Sequence, residues 1–282
     1  MRFASCVRVA VISASKPLRH LKNISNMSSK EGHTQYAAVS CDDSEKWGYS
    51  EATINRLFDI HRQDGEQWTA FHAARGQVPT IEDLKKYKGI IISGSPKSVH
   101  DDIDWIVRLQ EFIQNAASLQ EGDDETSPKI IGVCFGHQLI AKALGGKVEL
   151  NPDKDFVLQT EEIRAVEGQK DSKLVKDLFK SGPLRVVECH SECVTEIPKG
   201  AVTLGTSVSC KHEVVQYSKN ILGVQSHPEM LPEEAERLVL PAISKRYNWS
   251  EDKIQEVEKS FSLKIDLKAQ PMNRVMKSFL SE

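Results

Sequence analysis

Residues 130–138 read Ile-Ile-Gly-Val-Cys-Phe-Gly-His-Gln, an apolar run that breaks at a cysteine flanked by glycines. The run from Lys129 to Val133 predicts a buried strand. Phe135 to Leu144 predicts a helix that starts at once and is stopped by Gly145-Gly146. Strand, Gly-x-Cys-x-Gly and helix in immediate succession is the cysteine form of a nucleophile elbow. Gly132 and Gly136 stand where a side chain would collide in so tight a turn. The helix directs its N-terminus, the positive end of its dipole, at the sulfur of Cys134, which favours a thiolate. The backbone N–H of Phe135 then faces the same place as an oxyanion donor. A buried core cysteine before a glycine turn gives the same short pattern, so the rest of the chain must decide.

The elements around the elbow define the fold class. Strands are predicted at 35–41, 67–73 and 89–93, with helices over 50–63, near 81–87 and over 102–119. The second helix of that set is short, and the third turns Trp105, Ile106, Leu109, Phe112 and Ile113 inward. Residues 121–128 read as an acidic surface loop. Beyond Asn151 shorter strands are expected at 157–166, 184–189, 201–206, 213–217 and 221–225, then a helix over 232–245. Alternating strands and helices imply an α/β fold with a doubly wound, mostly parallel sheet flanked by helices. Three regions are expected: a leader over 1–33, a catalytic domain over 34–245, and a C-terminal helical extension over 246–282.

Two further segments supply what a cysteine nucleophile needs. Ile221 to Ser226 reads as a strand, and His227-Pro228-Glu229 follows it directly. Residues i and i+2 of an extended segment point the same way, and Pro228 stiffens the link. Glu229 can therefore hold the His227 imidazole in one tautomer and leave its other nitrogen for Cys134. By itself His-Pro-Glu is also a common surface turn. Ile90 to Ser93 ends in Gly94-Ser95-Pro96, a turn whose backbone N–H groups suit an anion; Ser95 is the candidate second oxyanion donor. His137, one turn past the nucleophile, has poor geometry to act as its base and reads as structural or substrate-side.

Taken together and in order, Ser93-Gly94-Ser95-Pro96, Gly132 to Gln138 and His227-Pro228-Glu229 resemble the class I glutamine amidotransferase domain over roughly residues 35–245. The resemblance implies a flavodoxin-like sheet and a cysteine hydrolase with the triad Cys134, His227 and Glu229. It also implies attack of Cys134 on a γ-glutamyl carbonyl through a thioester, with Gly94, Gln138, His190 and Ser191 on the substrate. Ser95 replaces the second glycine of the Gly-Gly-Pro found in many members. With Asp101-Asp102-Ile103-Asp104-Trp105 following, this form is similar to the γ-glutamyl peptidase branch, which cleaves glutathione and related conjugates. After the hydrolase domain the chain is too short for an acceptor domain, so a synthetase partner is possible but not required. The alternatives are a glutaminase subunit that hands ammonia to such a partner, and a non-catalytic relative that binds a metabolite or protein. Substrate choice is expected from loops near 97–104, 151–160 and 207–213.

Composition narrows the field further. A net charge of −3 gives no global case for nucleic acid, and no apolar run approaches the ~20 residues of a membrane span. Six cysteines in 282 residues do not make a small secreted disulfide framework, so a reducing compartment, the cytoplasm, is expected. The first 26 residues instead carry Arg2, Arg8, Lys16, Arg19 and Lys22, with Ser5, Ser13, Ser15 and Ser25 and no acid. That composition suits an organelle-targeting leader or a segment upstream of a start at Met27. Cys189, His190, Cys193, Cys210 and His212 are of metal-ligand type, but their spacing is not compact and Cys189 falls in a predicted strand. No metal or cofactor is expected.

Overall fold

A computed structural model of the chain describes residues 34–119, 127–152, 154–262, 265–267 and 269–282. The leader expected over 1–33 and most of the acidic loop expected over 121–128 lie outside the described residues. In chain order the strands are β1 (Thr34–Ser40), β2 (Glu66–His72), β3 (Gly89–Ile92), β4 (Lys129–Val133), β5 (Lys147–Leu150), β6 (Val157–Ala165), β7 (Leu184–His190), β8 (Glu192–Glu196), β9 (Val202–Thr206), β10 (Val214–Ser218) and β11 (Ile221–Val224). The helices are α1 (Tyr49–His61), α2 (Ile81–Leu84), α3 (Asp104–Leu119), α4 (Phe135–Ala143), α5 (Lys173–Leu178), α6 (Pro232–Leu238), α7 (Leu240–Tyr247), α8 (Glu251–Ser260) and α9 (Pro271–Ser281).

Nine strands form one sheet in the order β2-β1-β3-β4-β11-β10-β9-β6-β7. The five from β2 to β11 run parallel, and antiparallel strands continue the sheet from β10 to β7. In the parallel half successive side chains serve opposite faces, and both faces are covered. Ile90, Ile92 and Ile130 join one core with α3 and α4. Ile91, Ile131 and Val133 join the other with α1, α5 and α9. Burial on both sides is why these strands read as unbroken apolar runs. Each fully buried isoleucine contributes roughly 1.5–3 kcal/mol, so the centre of the sheet is rigid.

Four features depart from the sequence reading. The helix expected over 232–245 is two helices that break at Val239. Pro241 has no N–H to give the carbonyl of Arg237, and its ring crowds that carbonyl. β5 and β8 form a separate two-stranded antiparallel sheet that alternation did not reveal, since β5 buries only Val148. The short α5 was also missed. The segment 246–282 carries α8 and α9, and α9 lies inside the core: Met272, Met276, Phe279 and Leu280 are almost wholly buried. Its Lys277 is buried as well, paired with Glu66 at 2.5 Å and set 4.0 Å from the ring centre of Tyr36.

Candidate active site

β3, β4 and β11 are neighbours in the sheet and all run parallel. Their carboxyl ends therefore reach one edge together, the place where open α/β sheets bind ligands. β3 delivers Ser93-Gly94-Ser95, β4 delivers Cys134, and β11 leads through Gln225 and Ser226 to His227. Three segments far apart in sequence are thus joined by strand order alone.

Cys134 sits between β4 and α4 with φ 47° and ψ −104°, a left-handed conformation rare for a residue with a side chain. Such strain persists where the surroundings fix it. Here they do: Cys134 N donates to Val224 O at 2.8 Å, and its carbonyl accepts from Gln138 N at 3.0 Å. A Cβ on Gly132 would lie 2.4 Å from the backbone of Gly136, and one on Gly136 would lie 2.5 Å from Ile92 O. Both glycines of the motif are required by this packing. The amide of Phe135, at the first position of α4, is among those a helix leaves without an internal acceptor.

His227 faces Cys134 closely enough for the sulfur to act on its charge. Its Nδ1 lies 2.7 Å from Glu229 Oε1, and its backbone N donates to Val187 O at 2.8 Å. Burial alone disfavours a charged imidazole, but Glu229 and Cys134 outweigh it and hold His227 well above the usual histidine range. Burial raises the Glu229 carboxyl and the imidazolium lowers it further, so its value ends below the ordinary one. α9 and α1 steady this loop: Asn273 Nδ2 donates to Pro228 O at 2.8 Å, and Arg56 Nη1 approaches Glu229 O at 3.4 Å while pairing with Glu234. Neither Asn273 nor Arg56 was legible in the sequence.

Gly94 packs against the pair. A Cβ there would lie 2.8 Å from His227 Cε1 and 3.6 Å from the Cβ of Cys134. Gly94, Ser95, Gln138, His190 and Ser191 all line one cavity with Cys134, His227 and Glu229, of about 460 Å³. That size suits a small-molecule substrate. Gln138 is buried, donating to Glu192 O at 2.7 Å and Gln225 Oε1 at 3.1 Å, and Gln225 Nε2 lies 3.6 Å from the sulfur. His190 borders the cavity, yet its Nδ1 meets Asn151 and its Nε2 turns toward Glu188. His137 is fully buried; burial lowers it to about 3, and its Nδ1 is 3.0 Å from the hydroxyl of Tyr217. It faces the core, away from the sulfur.

The cavity walls differ from expectation in one respect. Lys97, Ser98, Asp101 and Phe156 come from two of the three anticipated loops, but 207–213 contributes nothing. Val208 at the tip of that loop is 98% exposed, while Cys210, His212 and Glu213 are buried away from the cavity. The loop's place is taken by Trp47 and by Val239, Ile243, Arg246 and Tyr247 of the α6–α7 pair. The cysteine-rich group does not converge either. Cys193 and Cys210 meet each other, whereas His212 Nδ1 pairs with Thr203 at 2.6 Å and His190 with Asn151.

Comparison with known proteins gives a consistent outcome. The family model for glutamine amidotransferase class-I matches residues 60–243. γ-Glutamyl peptidase 4 of Arabidopsis thaliana is 35% identical over 185 residues, 64% of this chain and 68% of the relative. One of the subunits of a glutamine-hydrolyzing GMP synthase from Thermococcus kodakarensis is 37% identical over 155 residues, 53% and 71% of the two chains. In three dimensions a crystal structure of a glutamine amidotransferase from Thermotoga maritima superposes with a TM-score of 0.63 at 16% identity, covering 89% of this chain and 100% of that one. That last likeness speaks for the fold.

Proposed function

Because the chain belongs to the class I glutamine amidotransferase family and is a hydrolase of that type, we propose that it cleaves γ-glutamyl amide bonds of glutathione, its conjugates or γ-glutamyl peptides. The observation that carries this reading is Cys134 on a strained elbow, facing a His227 that Glu229 holds at 2.7 Å. In this reading Cys134 Sγ attacks the γ-carbonyl carbon as its proton passes to His227. The carbonyl oxygen becomes an oxyanion between the N–H groups of Phe135 and Ser95. Collapse breaks the C–N bond, and His227 gives the proton to the departing amine. A γ-glutamyl thioester remains on Cys134. Water, deprotonated by His227, then releases glutamate and returns the proton to sulfur. Glu229 orients the ring and offsets the imidazolium charge.

A peptide or conjugate is preferred over glutamine because of the cavity. Beyond the sulfur it is walled by Trp47, Phe156, Ile243 and Tyr247 with the cations Arg56 and Arg246. Ammonia needs no such wall, whereas a leaving group with apolar and carboxylate parts fits it. The similarity to one component of a GMP synthase favours a second reading, a glutaminase that supplies ammonia to a separate synthetase. We also propose that the enzyme works in the cytoplasm, a reducing compartment that suits the unbridged thiols of Cys41, Cys134, Cys193 and Cys210. Purified protein given glutathione or glutamine separately, with Cys134→Ala as control, separates the two substrate readings. Cysteinylglycine released only by the unmutated chain supports the peptidase; ammonia from glutamine alone would replace it with the glutaminase.

A further inference from the structure

Behind the catalytic loop lies a buried group of acceptors that face one another. Glu188 and His190, two apart on β7, point to the same side of the strand. Glu213, just before β10, joins them. Both glutamates are 0% exposed and His190 is 4% exposed. One ligand atom from each residue lies within 4.8 Å of the other two, and His190 Nε2 is 3.5 Å from Glu188 Oε2.

The hydrogen-bond network fixes what these atoms offer. Asn151 Nδ2 donates to Asp155 O and to His190 O, each at 2.9 Å, so Asn151 Oδ1 is an acceptor. That oxygen lies 3.0 Å from His190 Nδ1, which must therefore carry the ring proton. A neutral His190 then presents the Nε2 lone pair to the glutamates. This is how a buried amide or carboxylate commonly sets a metal-binding imidazole. Glu213 Oε1 accepts from Ser207 Oγ at 3.0 Å. No N–H or O–H of another described residue reaches Glu213 Oε2, either carboxylate oxygen of Glu188, or His190 Nε2; the Glu188 and Glu213 carboxyls meet each other. Glu161, a further carboxylate whose charge reaches the cluster, accepts from Gln159 and from Ser209 N.

Buried acceptors left without a donor are costly, and buried like charges more so. A divalent cation balances two carboxylates and takes up all three lone pairs. We propose that Glu188, His190 and Glu213 form a divalent-cation site that ties β7 to the start of β10. One imidazole with two carboxylates suits a first-row transition ion such as zinc. Zinc bonds of about 2.0–2.2 Å set ligand atoms roughly 3.4 Å apart in a tetrahedron, so a pair at the 4.8 Å limit closes by about 1.4 Å on binding. β10 and β7 do not pair in the sheet, so the ion adds a brace that the ladders lack. It also steadies Val187, whose carbonyl holds the His227 backbone.

The test uses the full chain, tag removed, in a Cys134→Ser background so that the catalytic sulfur takes no metal. Elemental analysis is made as purified and again after equilibration with zinc and gel filtration. One divalent ion per chain is expected, falling at least fivefold in Glu188→Gln and in Glu213→Gln. Each glutamine keeps its shape and hands its neighbour a donor, so both variants should fold. As an independent readout, a chelator should lower the melting temperature of the parent, zinc should restore it, and Glu213→Gln should show neither change. Equal metal in parent and variants, or a parent that retains none and melts unchanged with chelator, would overturn the site and leave protons as what closes the cluster.

Discussion

Gly94 is where one added methyl group should cost the most activity for the least change in fold. In Gly94→Ala the new Cβ would lie 2.8 Å from His227 Cε1. Carbon atoms rest at about 3.5–4.0 Å, so the imidazole would have to retreat by roughly 0.7–1.2 Å. It has little freedom to do so, held by Glu229 at 2.7 Å and by its own backbone bond to Val187 at 2.8 Å. The second near neighbour is the Cβ of Cys134 at 3.6 Å, so retreat opens the sulfur–imidazole contact rather than tightening it. A misplacement near 1 Å costs about 10²-fold in rate, or about 2.7 kcal/mol of transition-state stabilisation. Overpacking of this kind costs about 1–3 kcal/mol in stability, a fall of roughly 2–9 °C in melting temperature. The assay is kcat/KM for γ-glutamyl hydrolysis beside a thermal melt. A variant within threefold of the unmutated enzyme would refute the claim that Gly94 is a glycine for the sake of His227.

Four other outcomes follow from the same geometry. His227 is held above its usual range by Glu229 and Cys134 against the effect of burial; Glu229→Gln should move the alkaline limb of kcat/KM to lower pH, and an unmoved limb would contradict that origin. The stabilisation from this raised imidazole is complete below the ordinary histidine range and is lost as pH rises through the elevated value, so the melt of the unmutated chain should weaken there more than that of Glu229→Gln. Phe279→Ala should destabilise by about 3–5 kcal/mol, because its ring is 2% exposed in the core beneath β4; a loss under 1 kcal/mol in denaturant melts would mean that α9 is a detachable tail. Tyr247→Ala, on the leaving-group wall, should raise KM for bulky γ-glutamyl conjugates with kcat nearly unchanged, and equal effects on glutamine would remove α7 from specificity.

The elbow was legible because its chemistry is local. Gly132, Cys134 and Gly136 must stand together in the chain for the turn to close, and His227 and Glu229 must be two apart for one to orient the other. The parallel strands were legible because burial on both faces leaves an uninterrupted apolar run such as Ile90-Ile91-Ile92. What the sequence hid depends on long-range packing. α9 buries Met272, Met276 and Phe279 but also Lys277, and a charged residue in the middle of the stripe disguised a core helix. Nothing local marks Asn273 as the amide that holds Pro228 O, or Arg56 as a neighbour of Glu229. The cavity wall was misassigned for the same reason: loop 207–213 leads into β10 and buries Cys210, His212 and Glu213 away from the cavity, whereas α7 folds back over it after the break imposed by Pro241.

The most direct measurement is a rapid acid quench during turnover of a γ-glutamyl substrate, followed by intact-mass analysis and peptide mapping. A mass gain of one γ-glutamyl group, mapped to Cys134, labile to hydroxylamine and absent from Cys134→Ala, is the predicted result. Turnover with no adduct at any quench time, and with activity surviving in Cys134→Ala, would contradict a thioester mechanism at the elbow.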